Sequence, residues 1–511
     1  MSAFSRTLPA RPNLEQQKKL AKDLIDAFHG GDPEAMARIR AELPDKQNVS
    51  LTDAQYVLAR EYGFASWRDL KQHIESVAGE QLPLIERFKK AVRDDDAAAL
   101  RRLLPRKQEL RGIINEPLFS FDSPAIVAAS SDVDVIDVLL DLGADPNRRS
   151  SWWAGGFHAL YGASPAAAAR LIAAGAIPDA CAAAHLDRLD LLAEMLAEDP
   201  SRVNERGGDG QTPLHFARSR AAVDLLLNAG ADPDARDVDH RSTPAQWMLG
   251  DADDPEKSRT AIAKYLVERG ASADMFLAAA IGDTARARAL LEANPGLLQL
   301  RTGQGEYGTR APSSFHIYLW TIGANFTPLQ TASRFHQRET LDAMRAYASA
   351  EQRLLLACHE GNRDEATAIV DAHPGIIDQL GEVDRRALTD EAWAANAKAV
   401  ELMMELGFDP AARSVSGPTG GTALHCAAWE GSVECVAAIL RYPRGRALIH
   451  VQDDTYHGTP LNWCDHGSLN CGNPRADHAE VARLLLTAGA QVPEMFEASD
   501  AVAAVLNAHR A

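Results

Sequence analysis

Cysteine is scarce. Six thiols at irregular spacing in 511 residues cannot staple a chain of this length into a disulfide framework, and they suit a reducing compartment. Basic charge is short as well: 53 Lys and Arg stand against 71 Asp and Glu, a net charge of -18. A field of that sign repels phosphate backbones and anionic lipid, so nucleic acid and membrane are not expected partners. Long apolar runs are missing too. The most apolar stretch, Ala166 to Ala184, is broken by Arg170, Pro178 and Asp179, whereas a spanning helix needs about 20 nearly uninterrupted apolar residues. Residues 1–22 hold no apolar segment of signal-peptide length ahead of Glu15, Lys18 and Lys19, and the chain is expected to be cytoplasmic. There is no Gly-x-Ser-x-Gly elbow, His-Glu-x-x-His pair, phosphate-binding loop or dinucleotide fingerprint, which removes the usual signature of several enzyme classes.

What the chain has is repetition. Gly-Ala followed by an Asp, Pro or Asn corner recurs at Gly143 to Asn147, Gly175 to Asp179 and Gly230 to Asp234, with weaker copies at Gly270, Gly407 and Gly489. Paired aliphatics precede these corners, as in Val138-Leu139-Leu140 and Leu225-Leu226-Leu227. The pattern predicts a helix that stops where a left-handed glycine is required and then turns away. Short openings lie between these helices: Thr212-Pro213-Leu214-His215, Thr243-Pro244-Ala245-Gln246, Thr422-Ala423-Leu424-His425 and Thr459-Pro460-Leu461-Asn462. In each, Thr can cap a new helix and the next residue occupies a first-turn position that needs no amide donor.

With these motifs the sequence resembles the ankyrin-repeat family, whose unit is a β-turn plus two helices over about 33 residues. The segment Thr422 to Leu440 fits best. The resemblance implies an all-α fold, an ankyrin-repeat solenoid over 83–493 with insertions at 303–326 and 464–478 and a C-terminal capping helix at 494–511. It also implies that His215 and His425 tie neighbouring turns together. Residues 13–78 stand outside the repeat. Leu14 to Phe28, Asp32 to Leu43, Leu51 to Tyr62 and Ser66 to Val77 carry helical apolar spacing and predict a small helical domain. Behind a disordered segment at 1–12, this lead is similar to the N-terminus of some bacterial ankyrin-repeat proteins. The aromatic content of Gly303 to Phe326 predicts order in that insertion, and Ser414 to Gly421 reads as a flexible turn.

Candidate binding residues lie at the turn tips and in the insertions. Trp152 and Trp153 stand where the family has small polar residues. Trp429, Tyr456, His457, Asp465 and His466 form a second neighbourhood, and His316 and Trp320 lie in the insertion between the two. Aromatic anchors beside carboxylates and histidines suit a recognition surface. Trp463 is expected in the core. Cys464, His466, Cys471 and His478 lie close in sequence but lack a zinc-type spacing, so no metal is expected, and no cofactor.

Two functions fit. In the first, the concave face and turn tips of the repeats hold a protein, a small molecule or a carbohydrate, which needs no catalytic group. In the second, a hydrolase or lyase of the glycoside hydrolase kind uses Asp209 and Asp239 as a carboxylate pair, with His240 as a further proton donor or acceptor.

Overall fold

The computed structural model describes residues 4, 6, 8, 14–44, 46, 49–80, 84–129, 131–251, 254, 256–414, 420–493, 496 and 498–510. Apart from Phe4, Arg6 and Leu8, the segment expected to be disordered at 1–12 lies outside these residues, as do 415–419 of the expected flexible turn. The chain forms two compact units: residues 1–151 with 157–177, and residues 152–156 with 178–511.

The first unit begins with helices Leu14–His29, Pro33–Glu42, Leu51–Glu61 and Trp67–Glu80. Their starts follow from local chemistry. Asp32 accepts from the Ala35 amide with Pro33 behind it, and Ser50 and Asp53 form a reciprocal capping box, both of which satisfy amides that a helix start leaves open. Leu24, Ile25, Ile39 and Val57 are buried together between the first three helices. Glu61 has no exposed side-chain surface and is held by Arg38 at 2.7 Å and by Arg6 at 3.4 Å. Shorter helices follow through Val133–Leu142 and Pro165–Ala173.

The second unit is a succession of helix pairs. Five of its first helices start on a Thr whose side chain and backbone exchange hydrogen bonds with the residue three positions on: Thr212 with His215, Thr243 with Gln246, Thr327 with Gln330, Thr422 with His425 and Thr459 with Asn462. Thr327-Pro328-Leu329-Gln330 is a repeat opening that the four sequence motifs did not include. The histidines also bridge layers. The Nε2 atom of His215 donates to the Ser242 carbonyl at 3.1 Å and that of His425 to the Gly458 carbonyl at 3.1 Å. The second helices end at glycines such as Gly230, φ 95°, and Gly407, φ 103°, a conformation that costs other L-residues about 1–2 kcal/mol. Each layer buries its apolar face on the next. Helix Pro460–Asn470 packs on Ala423–Trp429, which packs on Ala387–Trp393, around Leu388, Leu424, Ala428, Leu461 and Trp463.

Among the described residues there is no strand beyond two isolated bridges, and no helix is long and apolar enough to cross a membrane. The insertion 303–326 is ordered by burial. Tyr307, Ile317, Tyr318 and Ile322 join the core of the second unit, and the Tyr318 hydroxyl donates to Asp274 at 2.9 Å. Asp274 also accepts from Gln246 at 2.7 Å, and burial pushes its carboxyl up.

Candidate functional site

Two successive turns and the insertion build one site at the tips of the second unit. The first turn holds Asp209 at φ 54°, and its carbonyl accepts the amides of Val238 at 2.8 Å and Asp239 at 3.2 Å from the second turn. That second turn is organised by Asp237. One carboxylate oxygen accepts from the amides of His240 at 2.5 Å and Arg241 at 2.9 Å, and the other from Ser242 at 3.3 Å and the Trp247 indole at 2.5 Å. Four donors on one carboxylate fix where Asp239 and His240 point.

The insertion then folds back across 75 residues of sequence. The Ser314 amide donates to Asp239 Oδ1 at 2.9 Å, the Ser313 hydroxyl to the Val238 carbonyl at 3.0 Å, and the Ile317 amide to the Ser242 hydroxyl at 3.2 Å. Arg241 reaches the Gly308 carbonyl at 2.7 Å. His240 Nδ1 lies 2.8 Å from the Phe315 carbonyl, and the rings of Trp247 and Trp320 stand 5.2 and 4.9 Å from the imidazole. On the other side, the Trp152 indole donates to Asp209 Oδ1 at 3.1 Å. Gly155 allows this approach. A Cβ there would stand 2.3 Å from the Gly207 carbonyl oxygen.

The result is a set of three ligand-type atoms, one each from Asp209, Asp239 and His240, within 4.8 Å of one another. His240 Nε2 lies 3.9 Å from Asp209 Oδ2 and 3.7 Å from Asp239 Oδ2. Burial pushes the Asp209 carboxyl up to about 6; His240 pulls it back, and Asp239 and Asp237 add to the rise. Asp237 is likewise raised by burial, against its own hydrogen bonds. Around this polar cluster Trp153, Val238, Phe315 and Trp320 leave large apolar side chains exposed.

Trp152, Trp153, Asp209, Asp239 and His240, read in sequence as one neighbourhood, do come together. Trp320 joins them, although linear spacing along a repeat stack places the insertion elsewhere. His316 does not. Its ring is buried 5.0 Å from that of Tyr307 and 4.6 Å from that of Tyr318, so it is a core side chain and not a surface contact. Burial holds its imidazole down at about 3. Asp237, Trp247 and Phe315 were not singled out. The ten-residue spacing from Asp237 to Trp247 recurs as Asp453 to Trp463, and that repeated pair was the available signal.

The second neighbourhood divides. Trp429 is half-buried and stacks on Trp393 at 6.3 Å with 9° between the planes, and His466 is 5.5 Å from it. Tyr456 and His457 are exposed at a turn tip. Asp465 is buried, which removes it from a recognition surface and pushes its carboxyl up to about 7. Trp463 is buried as expected. The Cys464 thiol bonds to the His478 carbonyl at 3.2 Å, and His478 Nε2 to the Trp429 carbonyl at 2.8 Å. The first contact joins the two helices of one pair, Pro460–Asn470 and His478–Thr487, and the second joins successive layers.

Residues 209–238 and 419–454 match the ankyrin repeat family model. The crystal structure of the human ASB11 ankyrin repeat domain is similar at 17% identity, covering 55% of this chain and 99% of that chain, with a TM-score of 0.25. No curated protein matches the chain. The Thr-capped helix pairs and the histidines that bridge successive turns, within and around the two matched segments, mark residues 209–238 and 419–454 as ankyrin repeats.

Proposed function

We propose that this protein is a binding protein that holds a protein partner on the tip surface around Asp209, Asp239 and His240. One observation carries the reading: Trp153, Val238, Phe315 and Trp320 are 46%, 43%, 41% and 57% exposed on turns that the hydrogen bonds above hold rigid. Rigid, exposed aromatic anchors around a desolvated polar centre are the anatomy of an interface hot spot, and ankyrin repeats are generally protein-interaction modules. The net charge of -18 favours a basic or neutral partner over an acidic one.

A hydrolase reading would place Asp209 and Asp239 on either side of a glycosidic bond. Each of these carboxylates has one oxygen bonded to the protein, and the other faces His240, so both are engaged within the turns.

The test is partner capture from the source cells by wild-type protein, Trp153→Ala, Trp320→Ala and the remote exposed control Leu469→Ala, quantified partner by partner. Loss of the same protein in both tryptophan variants, with retention in the control, supports the reading. Equal capture by all four removes this surface from the account. A glycan array run with the same four proteins separates a carbohydrate ligand from a protein one.

A further inference from the structure

We propose that Asp209, Asp239 and His240 form a binding site for one divalent first-row metal ion, with zinc and manganese the ions that this donor set suits. The recognition surface can be right or wrong without affecting this, because the site needs no partner to form.

The argument starts from the proton on His240. Its Nδ1 is 2.8 Å from the Phe315 carbonyl, an oxygen that can only accept, so Nδ1 carries the hydrogen. In the neutral ring the Nε2 lone pair then faces Asp209 Oδ2 and Asp239 Oδ2 at 3.9 and 3.7 Å. Three electron-rich atoms converge within 4.8 Å of one another, and a proton on Nε2 does not resolve this. A charge-assisted N–H to carboxylate bond is about 2.7–2.9 Å long, and both distances exceed that by close to an ångström.

A metal ion does resolve it. Imidazole nitrogen and carboxylate oxygen sit about 2.0–2.2 Å from zinc, which puts neighbouring ligand atoms on one ion roughly 3.0–3.6 Å apart, a few tenths of an ångström inside the two separations from His240 Nε2, with the two carboxylate oxygens within 4.8 Å of each other.

Burial is the independent observation. The Asp239 side chain is 3% exposed. Its Oδ1 accepts the Ser314 amide, while its Oδ2 accepts no hydrogen bond among the described residues and is aimed at His240 Nε2. Charge on a side chain this enclosed is costly without an opposite charge beside it, and a cation between Asp209 and Asp239 supplies one. Around bound metal ions a ligating histidine gives its other N–H to a backbone carbonyl and the ligating carboxylates are themselves hydrogen-bonded. Here Phe315 takes the His240 proton, Trp152 binds Asp209 and Ser314 binds Asp239. Three protein ligands leave at least one position on the ion open.

Full-length protein stripped with EDTA and dialysed is titrated calorimetrically with zinc chloride and with manganese chloride, in parallel with Asp209→Asn and Asp239→Asn. An Asn carbonyl can still accept from Trp152 or Ser314, so the turns are retained, and melting of the metal-free variants checks that they fold. The expected result is one ion per wild-type chain, affinity weakened at least about 10-fold in each variant, and a zinc-induced rise in melting temperature that both variants lose. Absence of saturable binding of either ion overturns the proposal, and so does binding that the variants leave unchanged, as an ion on the half-buried Cys471 or exposed His466 would give. A check independent of the variants is the 15N signal of His240 Nε2 in the wild type. Ligation moves it on zinc addition, and an unmoved signal overturns the proposal.

Discussion

Trp463 donates its indole N–H to Asp453 at 2.9 Å, as Trp247 does to Asp237 at 2.5 Å. In both cases the carboxylate also gathers the amides of its own turn, Thr455, Tyr456 and Gly458 for Asp453. The turn is thus fastened to the helix that follows it. Asp453→Ala strands three amides and a buried indole, and is expected to cost roughly 2–4 kcal/mol. Trp463→Phe removes one hydrogen bond and some packing, and is expected to cost less. Urea midpoints of the two variants check the order, and a wild-type midpoint for Asp453→Ala would show that the turn holds without its carboxylate.

Glycine spacing at the tip site is a steric matter. A Cβ at Gly155 meets the Gly207 carbonyl oxygen at 2.3 Å, and one at Gly210 meets Val238 Cγ2 at 2.3 Å, whereas Gly230 has nothing within 4 Å. Gly230→Ala therefore carries only the left-handed backbone penalty, about 1–2 kcal/mol. Gly155→Ala and Gly210→Ala are expected to exceed it and to change tryptophan fluorescence by lifting Trp152 from Asp209. Thermal melts and emission spectra of the three variants make the comparison.

His425 gives an acid dependence whose sign is fixed. Burial holds its imidazole down at about 4, from 6.5 in an unburied ring. Below pH 6.5 the unfolded chain takes up a proton that the folded chain refuses, so this residue's contribution falls by roughly 1.4 kcal/mol per pH unit until about pH 4. His425→Gln places at this cap the residue type that Gln246 and Gln330 supply at theirs, and it does not titrate. The difference in unfolding free energy between variant and wild type is expected to shift in favour of the variant as the pH is lowered from 6.5 to 4. A constant difference across that range would sink the assignment.

Glu61 and Arg38 form a buried pair in the first unit, with 0% and 12% of their side chains exposed. Removing one member leaves the other charge enclosed, which typically costs about 3–5 kcal/mol, while replacing both with apolar residues is often close to neutral. Glu61→Ala is expected to lower the melting temperature of the helical module, and Glu61→Leu combined with Arg38→Met to restore most of it. Calorimetry of the two proteins decides, and equal melting would mean that the pair is solvated.

The repeat was legible because its signals are local. A Thr cap, a first-turn Pro and a stopping Gly lie within a few residues of what they control, so Thr212, Thr422 and Gly230 could be read directly. Trp152, Asp209 and His240 were legible as neighbours because successive turns of such a stack adjoin. The fold-back of 313–317 was not. It is encoded in backbone amides and carbonyls, those of Ser314 and Phe315 among them, which nearly any side chain could accompany. His316 was misplaced because a histidine in an aromatic run looks the same on a surface as between Tyr307 and Tyr318. The repeat opening at Thr327 was hidden by its position directly after the irregular insertion.

That fold-back has a mechanical consequence. Layers in a repeat stack touch only their neighbours, so such proteins fray and refold from the ends one layer at a time. Here residues 308–317 are fastened to residues 238–242, and helices Thr260–Glu268, Met275–Ile281 and Thr284–Ala293 lie in the closed loop between. A chain unzipping from its C-terminal end meets this clasp and can go no further until it opens. When it does, the loop is released as one block, so the trace of a single molecule pulled by its ends contains one step far longer than the rest.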